Sequence, residues 1–281
     1  MKIRLWGTRG SIPVPSSLHG VYGGNTPCVL IELDPTSILI LDSGTGLPAL
    51  GDALLDSPFG DGDGHGHILV SHTHWAHIQG LPFFKPFLIA GNRFTFWGRG
   101  SQGRSLSELL LSQMSTVYCP VPDFFRDDTG ALVDVVELGE GSVQIGHATV
   151  VSRELNHAIG TVCLGFRIES GDAAITYLPD VEYLQDDHRE PALELARDAD
   201  LLLHDAHFTH NEYETHRGWG HSSDKHAVEI AREANVRRLM LFHHHPDRTD
   251  AEIGDIVDRY RSESFPVEAA REGTEVTLGV V

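Results

Sequence analysis

The chain has 281 residues, enough to bury a core without help from a metal ion or a disulfide. Lysine and arginine number 21 against 40 aspartate and glutamate residues, and the formal net charge of −19 argues against a general polyanion-binding surface. Cys28, Cys119 and Cys163 form no CxxC pair, and no apolar run has the length of a signal-peptide core or a membrane span. We therefore expect a reduced, soluble, cytoplasmic protein without a membrane partner.

Short apolar runs that are typical of buried strands alternate with helical patterns along the chain. In chain order the runs are CVLIEL from residue 28, ILILD from 38, HILVS from 67, TVCLGFRI from 161, AAITYLPD from 173, LLLHDA from 201, RLMLF from 238 and EVTLGV from 275. Each half of the chain contains strands followed by helix, and no linker divides them. The pattern predicts an α/β fold in a single domain over 1–281, built of two similar halves.

Two local segments give more specific predictions. The glycine- and aspartate-rich segment 56–67 lacks a core face, so we expect a loop there and no function for His65 or His67. A helix is predicted after the segment GHSS, with Ser222 or Ser223 as its N-cap and an apolar face at 227, 230, 231 and 234. This places His221 just before a helix N-terminus.

Three histidines, His72, His74 and His77, occupy six positions of the segment SHTHWAHIQG, directly after the run HILVS. Residues two apart in an extended chain point to the same side, so His72 and His74 can bind one ion. A turn into a helix near His77 would present its imidazole from the other side of the pocket. The spacing suits a pair of ions, and imidazoles without nearby thiolates favour zinc, with manganese or iron as alternatives.

The segment HTHWAH resembles the HxHxDH signature of the metallo-β-lactamase-fold hydrolases, with Ala76 in place of the aspartate. Four more segments resemble the family's other motifs in order: DSGTG with Asp42, LNHAIGT with His157, YLPD with Asp180 and LMLFHH with His243. The resemblance runs from WGTRGS to LFHH. It implies an αββα four-layer sandwich with a site along one edge.

The resemblance also implies a role for each matched residue. One metal ion would be bound by His72, His74 and His157, the other by His77 and His243, with Asp180 bridging the two and Asp42 ordering the histidine loop. A bridging carboxylate offsets the repulsion of two ions about 3.5–4 Å apart. In the family, the aspartate that Ala76 replaces completes the ligands of the second ion. We therefore expect the first site to be retained and the second to be weak, half filled or completed by water.

Ala76 leaves two explanations open, a substitution made to trap a substrate or product and a natural one-metal variant. Because every other ligand position is filled, the pattern favours an introduced change. A third interpretation, an inactive binding or sensor module, depends wholly on Ala76.

Two segments in the second half resemble the phosphodiesterase branch of the family, which includes ribonuclease Z and small cyclic-phosphate phosphodiesterases. LLLHDAHFTHNEY and GWGHSS resemble its HEAT and HST motifs, with Asp205 where ribonuclease Z has glutamate and His221 at the histidine. A carboxylate behind a histidine fixes its tautomer and raises its pKa, so His221 would give a proton to the leaving oxygen. The alternative is that both residues are only buried hydrogen-bond partners.

The resemblance thus implies hydrolysis of a phosphodiester by metal-activated water. Ribonuclease Z holds its polymer with a basic, glycine-rich arm, and no lysine- and arginine-rich insertion of that kind is present here. We therefore expect a small cyclic or short nucleotide phosphodiester and no long nucleic acid. An RNase Z-like endoribonuclease remains an alternative. So does a thioester or lactam hydrolase, which would use the same ligands without needing the Asp205 and His221 pair.

Aromatic and basic residues near the histidine loop are candidates for contacts with the substrate. The segments LPFFKPFLIAGNRFTFW and YCPVPDFF suit stacking of a base or covering of a pocket, with ordinary core or a homodimer interface as the alternative. The basic residues best placed in sequence to meet a phosphate are Lys85, Arg93, Arg99 and Arg104.

Overall fold

The computed structural model describes residues 1–117, 119 and 130–279. Within them the strands β1 to β14 span Lys2–Gly7, Cys28–Asp34, Ser37–Leu41, His65–Leu69, Arg93–Gly98, Leu132–Glu137, Gly141–Ile145, Ala148–Leu155, Cys163–Ser170, Ala173–Leu178, Leu201–Asp205, Leu239–Phe242, Val267–Ala269 and Glu275–Thr277. The helices α1 to α8 span Leu47–Leu54, Pro58–Asp61, Trp75–Ile78, Leu106–Ser112, Glu190–Ala196, His210–His216, Asp224–Glu233 and Asp250–Asp258. Short 3₁₀ helices span Ser17–His19, Leu81–Phe83, Lys85–Leu88 and Asp186–Arg189. None of the helices in these ranges is long and apolar enough to cross a bilayer.

The strands form two mixed sheets, each with seven strands among the described residues. The first has the order β14-β1-β2-β3-β4-β5-β6 and the second the order β13-β12-β11-β10-β9-β8-β7. The strands from β3 to β6 run parallel to one another, and so do those from β10 to β13. Parallel strands align their carboxyl ends at one edge of a sheet, which is where ligands bind in α/β folds.

Strand β3 shows how the layers arise from the sequence. Leu39 and Leu41 belong to the apolar cluster between the two sheets, whereas Ile38 and Ile40 belong to the cluster under α1 and α4. Successive side chains of a strand point to opposite faces, so a strand covered on both sides is apolar throughout. A third cluster joins the second sheet to α5, α7 and α8. The helix–sheet–sheet–helix order confirms the predicted four-layer sandwich.

The expectation of a loop over 56–67 is wrong in part. Residues Pro58–Asp61 form α2, because Ser57 caps the helix through the amide of Phe59 and Gly62 ends it with a φ of 86°. Strand β4 begins at His65, within the same segment. The side chain of His67 also has a structural contact, since its Nδ1 accepts a hydrogen bond of 3.2 Å from the indole of Trp97.

The buried guanidinium of Arg9 connects the loop after β1 to the loop after β12. It donates hydrogen bonds only to backbone carbonyl oxygens among the described contacts: to Gly23 at 3.0 and 3.1 Å, to His245 at 3.2 Å and to Arg248 at 2.7 Å. Burial lowers the pKa of Arg9, although nearby acidic groups oppose this effect. Arg9 thereby fixes the segment that follows His243 against the first sheet.

Two buried histidines make the fold sensitive to acid. On β11, His204 lies with Nδ1 2.7 Å from the carbonyl oxygen of Asp205 and Nε2 2.8 Å from the hydroxyl of Tyr183. His244 lies with Nε2 2.9 Å from the carbonyl oxygen of Ala270. Burial lowers the pKa of each imidazole to about 3, so both are neutral in the folded protein near pH 7.

We expect the free energy of unfolding to fall as the pH drops below about 6.5, where histidines of the unfolded chain take up protons that the folded chain binds only near pH 3. For each of the two histidines, protonation in the unfolded chain should lower the free energy of unfolding by roughly 2–3 kcal/mol at pH 4.5. Urea unfolding at pH 7.5 and 4.5 measures the difference. His244→Gln keeps a donor for Ala270 but cannot be protonated, so it should lose less stability in acid. An identical loss in both proteins would contradict this assignment.

Candidate active site

The residues singled out from the sequence meet at one edge of the sandwich, where strands of both sheets end. Strand β8 shares the direction of β10, because both are antiparallel to β9. The candidate residues directly follow five strands: Asp42 follows β3, the loop with His72, His74 and His77 follows β4, His157 follows β8, Asp180 follows β10 and His243 follows β12. Each sheet therefore contributes to the same site.

The first group of possible metal ligands consists of His72, His74, His157 and Asp180, whose ligand atoms lie within 4.8 Å of one another. The Nε2 atoms of His72 and His157 are each 3.7 Å from Oδ2 of Asp180. Nδ1 of His74 is 3.2 Å from Nε2 of His157. The four side chains thus surround one point beside a single carboxylate oxygen.

The second group consists of His77, His243 and the same Asp180. Oδ1 of Asp180 lies 3.2 Å from Nε2 of His77 and 3.4 Å from Nε2 of His243. Each oxygen of the carboxylate therefore faces a different group. A third set, His207, His221 and His243, also has its ligand atoms within 4.8 Å of one another.

The ligand atoms of these groups are suited to a cation. Among the described residues, Nε2 of His72 and Nε2 of His243 are buried and have no hydrogen-bond partner, and Nε2 of His77 has only its 3.2 Å contact with Oδ1 of Asp180. Buried polar atoms are nearly always paired, so a cluster of unpaired ones that face each other calls for an explanation. Imidazole nitrogens around one carboxylate are the ligands that divalent transition metals prefer, and the residues fit such ions.

Asp42 orients two of the histidines. Its carboxylate accepts hydrogen bonds from the amide and hydroxyl of Ser71 at 2.8 Å each, from the hydroxyl of Tyr177 at 2.8 Å, and contacts Nδ1 of His77 at 2.7 Å. The hydroxyl of Ser71 lies 3.1 Å from Nδ1 of His72. Because both Nδ1 atoms are engaged in this way, both Nε2 atoms are available to a metal ion.

Glu182 orients a third histidine, and sequence reasoning missed it. Its carboxylate accepts hydrogen bonds from the amides of Gly218 and Gly220 at 2.6 and 2.7 Å. The carbonyl oxygen of Gly220 lies 2.6 Å from Nδ1 of His157. A Cβ on Gly220 would lie 2.6 Å from that same nitrogen, and its φ of 85° also favours glycine. The one available signal was the position of Glu182 two residues after Asp180.

His221 and Asp205 form the predicted contact. Helix α7 begins after the N-cap Ser223, which confirms the predicted helix start and places His221 beside the site. Nδ1 of His221 is 3.1 Å from Oδ2 of Asp205 and 3.8 Å from Oδ2 of Asp180. Asp205 also accepts hydrogen bonds from three backbone amides, those of Val181, His207 and Ser222. The carboxylate is therefore held rigidly behind the imidazole.

The charges of this cluster follow from burial and its neighbours. Burial lowers the pKa of His221, but the carboxylates of Asp205 and Asp180 raise it by more. The pKa of His221 therefore lies above its usual value. Burial raises the pKa of Asp205 to about 6 against the opposing effect of His221. Burial would also raise the pKa of Asp180, but His243, His77 and His72 hold it well below its usual range. The two carboxylates thus favour the protonated form of His221.

Ala76 lies on α3 and is 4% exposed. Its side chain borders a cavity of about 210 Å³ that is also lined by Ser11, His74, Trp75, His77, Asp180, His221 and His243. A longer side chain at position 76 would enter the space in front of the second ligand group. The described residues that line this cavity include no lysine or arginine.

The aromatic and basic residues that the sequence suggested as substrate contacts differ in burial and in their contacts within the chain. Phe84 and Phe87 are buried core residues, whereas Phe83 is exposed. The segment YCPVPDFF lies outside the described residues except for Cys119. Three of the four basic candidates contact groups of the chain itself: Lys85 contacts Asp52 at 2.6 Å, Arg99 contacts Glu154 at 2.9 Å and Arg104 donates to the carbonyl oxygen of Glu108 at 2.9 Å.

Comparisons with known proteins agree with this geometry. Ribonuclease Z of Bacillus cereus (strain G9842) is 36% identical over 124 residues, which cover 44% of this chain and 33% of that protein. The match thus spans about a third of the relative's length. Human tRNase Z, short form, has a TM-score of 0.69 at 19% identity over 100% of both chains. A diphosphatase of the PhnP family has a TM-score of 0.67 at 17% identity over 99% of this chain and 98% of its own.

At such low identities the solved structures establish the fold alone. The family model described as "Beta-lactamase superfamily domain" matches residues 39–244, well over half of the chain. This range runs from β3 to the loop after β12 and so includes the histidines and aspartates of both ligand groups. The resemblance found in HTHWAH and the later motifs is confirmed: the chain belongs to the beta-lactamase superfamily and has the fold of its metallo-hydrolases.

Proposed function

We propose that the protein is a metal-dependent phosphodiesterase that hydrolyses a small, cyclic or short, nucleotide phosphodiester. One observation carries the proposal: two ligand groups share Asp180, and a histidine backed by a carboxylate lies 3.8 Å from the same aspartate. Paired metal sites suit displacement at phosphorus. The His221 and Asp205 pair suits protonation of an alkoxide leaving group, a step that a thioester does not require.

In this proposal, His72, His74 and His157 would hold one ion, His77 and His243 would hold the other, and Asp180 would contribute to both sites. The imidazole-rich ligand set favours zinc, with manganese or iron as alternatives. When bound, such ions would polarise the phosphoryl oxygens and lower the pKa of bound water toward about 7.

His221 supplies the proton in the mechanism. Asp205 engages its Nδ1, which leaves Nε2 as the nitrogen available to the cavity that His221 lines. As water loses one proton to solvent and adds to phosphorus, the bond to the sugar oxygen breaks and Nε2–H of His221 protonates that oxygen. Solvent then returns a proton to His221. Asp205 stabilises the imidazolium before the transfer and keeps the ring oriented during it. A linear diester gives a phosphomonoester and an alcohol, and a cyclic diester gives one product that carries both groups.

A small substrate is supported by charge. The net charge of −19 opposes a long polyanion, and Lys85 and Arg99 form ion pairs within the chain. An RNase Z-like endoribonuclease is the second candidate, because the curated relative that matches this chain bears that name. The two proposals differ in whether turnover survives when the substrate is reduced to one or two nucleotides.

Replacing one ligand of the first group should remove its metal ion. We expect His72→Ala to lose about one ion per chain after dialysis and to lose hydrolysis, because the remaining side chains leave an incomplete set of ligands. Plasma emission analysis measures metal content. His65→Ala, which changes an exposed histidine at the start of β4, is the matched control and should keep the metal. Equal metal content in the two variants would refute the assignment.

A carboxylate at position 76 should strengthen the second site. We expect Ala76→Asp to raise the metal content toward two ions per chain and to increase diester turnover by orders of magnitude, because an anionic ligand then faces His77 and His243. Ala76→Asn adds nearly the same volume without charge and should do neither. Metal content and single-turnover rates under one metal supply decide the matter. No gain with Ala76→Asp would mean that Ala76 belongs to a working one-metal site.

Removing the proton donor should impair chemistry without removing metal. In a chain that also carries Ala76→Asp, we expect His221→Ala to cut diester turnover by roughly 10²–10⁴-fold, the usual contribution of a positioned acid. Turnover of a nitrophenyl diester should fall much less, because its leaving group is acidic and needs little help from a proton donor. Turnover of both diesters, a thioester and a β-lactam is measured alongside metal content. Equal losses on the two diesters would exclude His221 as donor, and turnover of the thioester or lactam alone would exclude the phosphodiesterase.

A further inference from the structure

A second, larger cavity lies next to the candidate active site. Its volume is about 630 Å³, and Trp75 lines both this cavity and the one beside Ala76. The volume falls within the range of about 300–1,000 Å³ that is typical of small-molecule sites. The described residues that line it are uncharged and largely apolar, among them Ile78, Pro82, Phe83 and Leu109. The cavity therefore suits an uncharged part of a ligand whose phosphate lies elsewhere.

Two exposed aromatic side chains line this cavity. Trp75 is 76% exposed and Phe83 is 59% exposed, although the next residue, Phe84, is 2% exposed. Exposed aromatic rings at a pocket are stacking surfaces, and every nucleobase offers a flat face for such stacking. In the chain Trp75 lies directly between His74 and Ala76, so a ring stacked on it lies next to the candidate metal ligands.

One residue of the cavity wall has an unpaired hydrogen-bond donor. Nε2 of Gln113, the residue that ends α4, is buried and has no hydrogen-bond partner among the described residues. Leaving a buried amide donor unpaired is unfavourable, so such donors are nearly always paired. Rotation of the Gln113 side chain into the cavity would let a carbonyl oxygen or a ring nitrogen of a ligand accept a hydrogen bond from it. A nucleobase carries such acceptors on its edge and apolar surface on its faces.

We infer that this cavity binds the heterocyclic base of the substrate, with the base stacked on Trp75 and Phe83 and an acceptor on its edge bonded to Gln113. The inference rests on the proposed phosphodiesterase function, and it adds the part of the substrate that the protein recognises. The phosphate then lies across Trp75, beside Asp180 and His221. Recognition depends on stacking and one hydrogen bond and needs no basic side chain.

The test compares two matched substrates in a chain that carries Ala76→Asp. One is a nucleoside cyclic monophosphate, and the other is the same ribose cyclic phosphate with a methoxy group in place of the base. Stacking contributes about 1–3 kcal/mol per base, so Trp75→Ala and Phe83→Ala should each lower the ratio of the two kcat/KM values about tenfold. Leu88→Ala, which changes a 52% exposed side chain outside the cavity, is the matched control and should leave the ratio unchanged.

A second measurement does not depend on catalysis. A free nucleoside, which carries no phosphate, should quench the tryptophan fluorescence of chelator-treated protein, and Gln113→Leu should weaken its binding several-fold. An unchanged substrate ratio in Trp75→Ala and Phe83→Ala, or nucleoside binding that neither they nor Gln113→Leu affect, would overturn the inference. If neither diester is cleaved, the phosphodiesterase proposal fails, and nucleoside binding alone then decides whether the cavity is a base site.

Discussion

The buried carboxylate of Asp180 is the group on which the site depends. Its two oxygens lie 3.2–3.8 Å from nitrogen atoms of five imidazoles, those of His72, His77, His157, His221 and His243. An uncompensated buried charge costs several kcal/mol, so the carboxylate can remain ionised only where protonated rings or a bound cation neutralise it. Three further carboxylates support the arrangement, because Asp42, Glu182 and Asp205 each hold an imidazole in position directly or through a neighbouring group.

This arrangement places demands on the backbone at the edge of the sheets. Asp42 and His243 both have a φ in the left-handed region, 57° and 58°, and each directly follows a buried strand. Non-glycine residues adopt this conformation at a cost that the surrounding structure must offset. Here the offset is visible for Asp42, whose carboxylate makes four contacts within 2.8 Å. The sharp turns place the carboxylate of Asp42 against His77 and the imidazole of His243 3.4 Å from Asp180.

Much of the fold and of the candidate site could be predicted from the sequence, for physical reasons that differ from residue to residue. Strands covered on both faces are continuous apolar runs, and the spacing of the histidines resembles a known motif, so the sandwich and the grouping of His72, His74 and His157 could be anticipated. The role of Glu182 could not be predicted, because it acts on His157 through the backbone of Gly220, which is distant in sequence. Helix α2 has only four residues and so shows no helical period. Phe83 and Phe84 look alike in sequence, and only the 3₁₀ turn that contains Phe83 separates them into an exposed and a buried ring.

The contacts of Arg9 also determine when the site can form during folding. Its guanidinium reaches the carbonyl oxygen of Arg248, 239 residues later in the chain, and β1 pairs with the late strand β14. Contacts over such separations form slowly, because loop-closure entropy must be overcome before they stabilise anything. Until then the segment after His243 is not anchored to the first sheet. We therefore expect the imidazole cluster to assemble late in folding, after the chain has left the ribosome far enough for Arg248 to reach Arg9.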